Sequence, residues 1–338
     1  MESMQAQITR AWHSKCSWTL LLWPLSIIFR AIAFCRGYIL RHYYQGKKFS
    51  SPVVVVGNIS VGGSGKTPLI ISLAKQLLGH GLSVSIVSRG YGASSEIYPM
   101  SVEMDSVASV CGDEPLLIRH SLPQERCNVV VDPNRRRAVS FAIEYFNPDL
   151  ILCDDGLQHY RLHRDVEIAV IDGARGFGNG QCLPAGPLRE PIGRLKTVDF
   201  VVVNGQYQLP DRVNVDAKFD IVPHQFRNLA TGEILALNEW LGPKTVHALA
   251  AIGHPQRFAD TLELLGFDPR LQGFDDHQAL TQSDLIFEDD LPVFITAKDA
   301  VKLASTDFSH VWVLDVEAEV ATNFVTNILT AINLKPSD

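Results

Sequence analysis

No C-x-x-C pair occurs in this chain, no histidines stand at zinc-ligand spacing, and no basic excess accompanies its charges. The six cysteines (Cys16, Cys35, Cys111, Cys127, Cys153 and Cys182) are scattered. Neither a disulfide frame nor a thiolate metal site is therefore expected, and the thiols should be reduced and mostly buried. Lys and Arg number 30 against 37 Asp and Glu, a formal net charge of -7. Without an overall basic field to release counterions, no nucleic-acid partner is expected. Internal repeats and low-complexity tracts are also missing, which sets aside solenoids and disordered linkers. What remains, 338 residues at 46% hydrophobic and 20% charged, is ordinary globular composition with room for one large or two medium domains.

The densest signal is at residues 53–68, VVVVGNISVGGSGKTP. An apolar strand runs into a glycine loop that ends in Gly-Lys-Thr, the order that builds a phosphate cradle. Small residues at Ser60, Val61, Gly62, Gly63, Ser64 and Gly65 let backbone N–H groups close around an anion. Lys66 reaches toward β- and γ-phosphates, and Thr67 offers a hydroxyl to Mg²⁺. A helix starting near Thr67 adds its positive end. The usual pattern wants glycine where Ser60 stands; Gly62 and Gly63 can supply the missing freedom. The bland alternative is a glycine turn that happens to precede a lysine, and the apolar helix after it argues against that.

Beyond the loop, short apolar strands alternate with helices. Strands are expected at 82–88, 129–131, 150–153, 166–171 and 200–203, with a helix at 135–146. The fold class that follows is α/β, a P-loop NTPase-like parallel sheet with helices on both faces. Loops after Val56, Ser88 and Cys153 then lie at strand carboxyl ends, where such sheets bind ligands. Residues 220–235 change character and read as two strands around a Thr231-Gly232 turn. Alternation resumes with strands at 247–252, 293–296 and 311–316 and helices at 256–265 and 298–303. The expected domains are an N-terminal segment (1–38), a nucleotide-binding core (39–222), a two-stranded connector (223–237) and a smaller α/β domain (238–338).

One long hydrophobic run stands apart: residues 18–35, WTLLLWPLSIIFRAIAFC, flanked by Arg10 and Lys15 before it and Arg36, Arg41, Lys47 and Lys48 after it. A secretory signal has this charge order, but export would part the phosphate loop from its nucleotide. A spanning helix needs about 20 apolar residues, and Pro24, Ser26 and Arg30 interrupt this one. A helix lying in the interface, with Trp18 and Trp23 at headgroup level, is the preferred reading over a plain buried helix.

Several polar residues carry the chemistry. Asp154 and Asp155 end an apolar strand, where phosphate-loop enzymes hold Mg²⁺ or its waters; Asp-Asp-Gly is also simply a good turn. Asp113 and Glu114, in Cys-Gly-Asp-Glu-Pro, are either loop acids or a base and a metal-shell group, since an Asp can accept an alcohol proton in phosphoryl transfer. His277, in Phe-Asp-Asp-His-Gln, is by spacing alone more ordinary than catalytic. Arg189 suits a phosphate or carboxylate, with a surface salt bridge as the equal alternative. Arg135, Arg136 and Arg137 read as a solvated helix face.

Together these stretches resemble the tetraacyldisaccharide 4'-kinases of Gram-negative lipid A biosynthesis. The resemblance covers nearly the whole chain: the Trp/Pro-Leu-Ser segment, the phosphate loop, SRGYG at 88–92, GDEP at 112–115, DDGLQHYRL at 154–162, VIDGARGFGNG at 170–180, LPAGPLREP at 183–191, AIGHPQRF at 251–258, DDHQ at 275–278 and TAKDAVK at 296–302. The family's phosphate loop also lacks the first glycine. The resemblance implies that ATP phosphorylates the 4' hydroxyl of a tetraacylated glucosamine disaccharide 1-phosphate, with Mg²⁺, in a site between the two domains. By motif it implies Asp113 as base, His277 as its partner, Lys66 and Thr67 in the nucleotide loop, and Asp154 and Asp155 near the metal, with Glu114 in its shell. Tyr91, Gln158 and Arg189 are then expected to meet the lipid headgroup. Many relatives carry a second histidine after His277, and here Gln278 stands instead. The expected partners are the lipid and a membrane surface, with no obligate protein partner, and the expected place is the cytoplasmic face of the inner membrane. A membrane-associated phosphate-loop ATPase or GTPase switch is the rival, and it has no need of the LPAGPLREP and DDGLQHYRL segments.

Overall fold

A computed structural model of the chain describes residues 4–14, 17–43, 46–95, 97–206, 213–303 and 308–334; Lys15 and Cys16, considered above, lie outside them. The chain opens with helix α1 (Met4–Trp12), a 3-10 turn over Trp18–Leu22 and the long helix α2 (Trp23–Tyr43). Trp18–Tyr43 is 26 residues, long and apolar enough by length and composition to cross a membrane. Pro24 does not interrupt it, because it falls in the first turn of α2, where its missing N–H is not needed. Ser26 is inward: its Oγ donates to the Cys182 carbonyl at 2.7 Å and accepts the Ala185 N–H at 3.0 Å. Gly37 lies flat on the Tyr160 ring, and Arg41 stacks over the same ring at 4.5 Å. Leu21, Trp23, Leu25, Ile28, Ile32 and Phe34 are left exposed.

The body follows as β1 (Val53–Gly57), α3 (Lys66–Gly79), β2 (Val84–Ser88), β3 (Met100–Ser101), α4 (Ala108–Cys111), α5 (Asp113–His120), β4 (Cys127–Val131), α6 (Arg135–Phe146), β5 (Leu150–Asp154), β6 (Val166–Asp172) and β7 (Phe200–Asn204). It continues through β8 (Ala217–Asn228), β9 (Ile234–Ala236), β10 (Thr245–Ala250), α7 (Pro255–Leu264), β11 (Asp268–Gly273), β12 (Val293–Thr296), α8 (Ala297–Ala300), β13 (Val311–Val320) and α9 (Thr322–Ala331). Among the described residues these strands form one 13-stranded sheet, ordered β11-β10-β12-β13-β8-β7-β6-β1-β5-β2-β4-β3, with β9 paired to β8.

Register explains how this sheet makes a cleft. The parallel strands β4, β2, β5, β1, β6 and β7 form a first block, with β3 antiparallel at its edge, and this block meets β8 only at its start, with Asn204 opposite Phe219. β10, β11, β12 and β13 form a second parallel block, with Thr296 of β12 opposite Leu314 of β13. The two blocks are joined by the antiparallel ribbon β8–β13, in which Phe226 faces Leu314 and Phe219 faces Val320. The carboxyl ends of the two blocks therefore point toward each other along the ribbon. Seven residues of β8 separate the two levels, about 20 Å at strand rise.

Val53 and Val55 enter one core with Ala138, Val139 and Ala142 of α6. Val54 and Val56 enter the other, with Leu69, Ile70 and Leu73 of α3 and Phe324 and Ile328 of α9. Side-chain alternation along a strand covered on both faces requires this division, and it explains a run of four valines. The second block has its own aromatic core, in which Phe226 meets Trp240, Phe267 and Phe294 edge-on at 5.5, 5.7 and 5.1 Å between ring centroids.

Several sequence expectations change. Cys-Gly-Asp-Glu-Pro is no loop: Gly112, at φ 96°, joins α4 to α5, and Asp113 begins α5. The helix expected at 298–303 closes after Ala300. β11 was not anticipated; it is polar, carries Pro269 and sits on the sheet edge, where proline is tolerated. Among the described cysteines, Cys35 is exposed and the other four are buried.

Phe226→Ala would leave three rings facing a void. It is expected to lower unfolding stability by about 3–5 kcal/mol, read from the denaturation midpoint. A loss within experimental error would show that this core is not packed around Phe226.

Candidate active site

The phosphate loop spans the turn from β1 into α3. Gly62 and Gly65 have φ of 97° and 85°, the left-handed region that glycine enters freely. A Cβ at Gly65 would also lie 2.6 Å from Asn204 Nδ2. Ser60 needs no such freedom. It forms a β-bridge with Leu188, Val61 N donates to the Pro187 carbonyl at 2.8 Å, and Arg189 N donates to the Ile59 carbonyl at 2.7 Å. The LPAGPLREP segment thus straps the first half of the loop as a short strand, and a serine fits there. Arg175 donates to the Gly63 carbonyl from the other side.

Lys66 is the first residue of α3, and its Nζ lies 3.6 Å from Asp155 Oδ1. Arg189 reaches Asp155 Oδ2 at 3.0 Å. Burial pushes Asp155 up, but these two cations hold its carboxyl below the ordinary range. Its φ of 47° is uncommon for a residue with a Cβ, and places the two consecutive acids in different surroundings. Asp154, 2% exposed, is pushed up to about 7 by burial and by the nearby Glu114 charge, against the pull of Lys66. Its Oδ2 accepts a long bond of 3.3 Å from Ser88 Oγ, and its Oδ1 is buried without a hydrogen-bond partner.

The Arg135–Arg137 run is not uniformly solvated. Arg135 is buried and donates to the backbone carbonyls of Asp154 at 2.7 Å and Asp132 at 3.4 Å, bracing the end of β5, while Arg136 and Arg137 stay exposed. Nothing in the run of three marks which arginine turns inward.

Asp113 stands on the first-block wall and His277 on the second. His277 Nδ1 lies 2.9 Å from Asp113 Oδ2, and the Glu114 N–H donates to Asp113 Oδ1, also at 2.9 Å. Burial pushes Asp113 up, but His277 and Lys298 more than offset it and the carboxyl falls below its usual range. The bond to Asp113 raises His277, against burial and Lys298. His277 has φ 66°, another uncommon backbone conformation at a polar cluster. The Tyr91 ring, 66% exposed, leans on the imidazole at 5.2 Å. A cavity of about 390 Å³ opens between Tyr91, Asp113 and His277 and the apolar Val107, Val301 and Leu303.

The expected residues therefore gather in two groups: Lys66, Asp154, Asp155 and Arg189 at the loop, and Tyr91, Asp113 and Glu114 on the same wall, met by His277 from across the cleft. Gln158 stands at the start of the loop, with its amide donating to the Asn58 carbonyl at 3.0 Å and to Glu190 at 2.8 Å. Gln278 closes its own turn, its Oε1 accepting the Asp275 N–H at 3.3 Å. Three residues that sequence reasoning passed over complete the cleft: Arg175, Asn204 and Lys298. Asn204 and Arg175 both contact the phosphate loop, but each lies more than a hundred residues from it in sequence.

Asp154 carries a buried charge that weakens the fold. Its folded-state value of about 7 lies above the ordinary carboxylate value, so the penalty is absent at pH 3–4, grows as pH rises to about 7 and is constant above. Asp154→Asn, tested without metal or nucleotide, is expected to raise Tm at pH 8 and to leave it unchanged near pH 4. Equal Tm values at pH 8 would show that the carboxylate is not penalised there.

Comparison with known proteins gives the same picture from a different direction. The family model "Tetraacyldisaccharide-1-P 4'-kinase" matches residues 18–333. The tetraacyldisaccharide 4'-kinase of Hahella chejuensis is 40% identical over 336 residues, covering 98% of this chain and 97% of that relative. That of Ruthia magnifica is 43% identical, covering 91% of this chain and 95% of that relative. A solved structure of LpxK from Aquifex aeolicus in complex with ATP has a TM-score of 0.75 at 27% identity, covering 93% of this chain and 99% of the other. A match that begins at the 3-10 turn before α2, takes in both walls of the cleft and runs just past α9 leaves only α1 of the named elements outside it, and the chain belongs to the tetraacyldisaccharide-1-P 4'-kinase family.

Proposed function

We propose that this chain transfers the γ-phosphoryl group of ATP to the 4' hydroxyl of tetraacyldisaccharide 1-phosphate, a step of lipid A biosynthesis at the cytoplasmic face of the inner membrane. The observation that carries the reading is the 2.9 Å Asp113–His277 hydrogen bond facing a phosphate loop across a cleft, in a chain of this family. The ATP held by the solved relative supports nucleotide on the loop from Ser60 to Thr67.

Phosphoryl transfer has a loose transition state, so positioning and charge neutralisation do most of the work. The sugar oxygen attacks the γ-phosphorus, the bond to the β-phosphate oxygen breaks, and ADP leaves with that electron pair. The hydroxyl proton goes to the Asp113 carboxylate, which His277 orients. Lys66 holds the transferred group, giving up its contact with Asp155, whose charge Arg189 still balances. Tyr91 and Arg189 are the groups that would meet the lipid headgroup. The buried, unpartnered Oδ1 of Asp154 suits a hard cation. Thr67, Glu114, Asp154 and Asp155 are the groups that would hold Mg²⁺, which when bound neutralises phosphate charge. The exposed apolar side chains of α2 support a position at the bilayer, where a four-chain lipid stays because each buried CH₂ contributes about 0.8 kcal/mol.

Transfer of labelled γ-phosphate from ATP-Mg²⁺ to the tetraacyl disaccharide 1-phosphate in detergent tests the reading, with Lys66→Ala as control. Labelled lipid is expected from the wild type and not from the control; labelled free phosphate alone would overturn it. Asp113→Ala is expected to lower kcat about 10²- to 10⁴-fold with little change in KM for ATP. Unchanged kcat would remove Asp113 from its role.

A further inference from the structure

The TAKDAVK segment has no role so far, yet it forms the floor under His277. Thr296 caps α8 by accepting the Asp299 N–H at 3.2 Å. Asp299, fully buried, accepts the Ala251 N–H at 3.1 Å, and the Ala251 carbonyl accepts the His277 N–H at 3.3 Å. Lys302 pairs with Asp299 at 2.7 Å and donates to the Gln278 carbonyl at 2.8 Å. One short helix therefore holds the loop on both sides of His277. Its second residue, Lys298, goes further and enters the polar cluster itself.

Lys298 Nζ lies 3.4 Å from His277 Nε2, 3.4 Å from Glu114 Oε1, 3.4 Å from Asp276 Oδ1 and 3.8 Å from Asp113 Oδ2. Its side chain is 18% exposed. Burial opposes its charge, but Glu114, Asp113 and Asp276 more than offset this and the ammonium is retained. An ammonium has three N–H donors and no lone pair. At Nε2 it can only donate, so in the neutral imidazole this contact gives Nε2 the lone pair and puts the hydrogen on Nδ1, and it opposes the imidazolium that the Asp113 bond favours. That hydrogen points at Asp113 Oδ2. The order is Lys298 N–H to His277 Nε2, then His277 Nδ1–H to Asp113 Oδ2. A second-residue contact that fixes a histidine tautomer in this way is a recurring device.

We propose that Lys298 is a positioning residue for the transfer reaction: it locks His277 in the Nδ1–H tautomer and, through Glu114 and Asp113, ties the second block to the first when the cleft is closed. Lys298 touches no reacting atom; it acts through His277. Without it Nε2 can take the hydrogen, Nδ1 then presents a lone pair to the Asp113 carboxylate, and the two repel. The rest of the ammonium's contacts are to acids on both walls, so the same side chain relieves the repulsion among Asp113, Glu114 and Asp276 that closing the cleft creates.

The proposal rests on the kinase reading above, and its test separates the two. Lys298→Met keeps the length and removes charge and donors; Lys298→Arg keeps both. In the lipid phosphorylation assay, Lys298→Met is expected to lose roughly 10- to 100-fold in kcat, the size typical of losing a group that orients another, with KM for ATP changed less than about threefold. Lys298→Arg is expected to recover most of the loss. In an Asp113→Ala background, Lys298→Met should add little, because the pair it serves is already broken; a full multiplicative loss there would overturn the proposal. Nitrogen NMR of the histidine-labelled protein, which needs no activity, should show His277 with hydrogen on Nδ1 in the wild type and a different tautomer mixture in Lys298→Met. An unchanged His277 signature, or wild-type kcat in Lys298→Met, would also overturn it. Absence of lipid phosphorylation by the wild type would instead sink the kinase reading and leave the NMR result to decide on Lys298. If Lys298→Met does not fold, Lys298→Leu, which also lacks charge and donors, carries the same outcomes.

Discussion

The cleft is organised by the repulsion of buried acids. Asp113, Glu114, Asp154, Asp155 and Asp276 converge on one small volume from two halves of the chain, and carboxylates taken from water without partners are costly. Lys66 and Arg189 balance Asp155. Lys298 and His277 balance Asp113, Glu114 and Asp276. Asp154 alone has no ion pair among the described residues, only a weak hydroxyl, a backbone braced by Arg135 and the more distant pull of Lys66. The protein tolerates that one uncompensated carboxylate because its place is at a buried strand end, beside a loop built for anions. Stability and function pull apart at this residue, as they do where a site must be ready for a charge it does not itself supply.

The two walls differ in how they hold their charges. On the first block the groups come from strand ends and the helix that starts at Lys66, all anchored in a core covered on both faces. On the second block they come from the turn after β11 and from α8, a helix of four residues. Such a turn would wander if left to itself. The contacts of Asp299 and Lys302 fix it, so the second wall gains from buried polar bonds the rigidity that the first wall gains from packing.

What could be read from the sequence was whatever is local. Four valines followed by a glycine loop and Gly-Lys-Thr announce a strand, a cradle and a helix, and that is what residues 53–79 form. The helix at Arg135–Phe146 begins after Asn134, which caps it, and ends at Asn147 before Pro148, so its limits were visible. The pairing of Asp113 with His277 was reached through the family resemblance and not from spacing, since they stand 164 positions apart. Lys298 was hidden for the same reason, its acid and imidazole partners lying 21 to 185 positions away in the chain (298 less 277, and 298 less 113). Asp113 looked like a loop acid because Gly112 breaks the helical pattern on either side of it. Arg135 looked like its two neighbours because nothing in a run of three arginines says which one faces the strand end. Ser60 seemed a defect in the motif until the strap from Leu188 showed why a glycine is not required there.

The ribbon of β8 and β13 has a mechanical meaning of its own. Both walls of the cleft grow from a single hydrogen-bonded sheet, so no flexible tether lets them swing apart like two beads on a string. Widening the gap means bending or twisting the ribbon, and the register of β8 against β13 slips between Asp315 and Val316, within the stretch between the two blocks. A bulge at this place is where an antiparallel pair yields first, since it interrupts the ladder and adds local twist. The sheet that forms the floor of the cleft thus behaves as a leaf spring, with the catalytic ends of both blocks mounted at its tips and its weakest leaf between them.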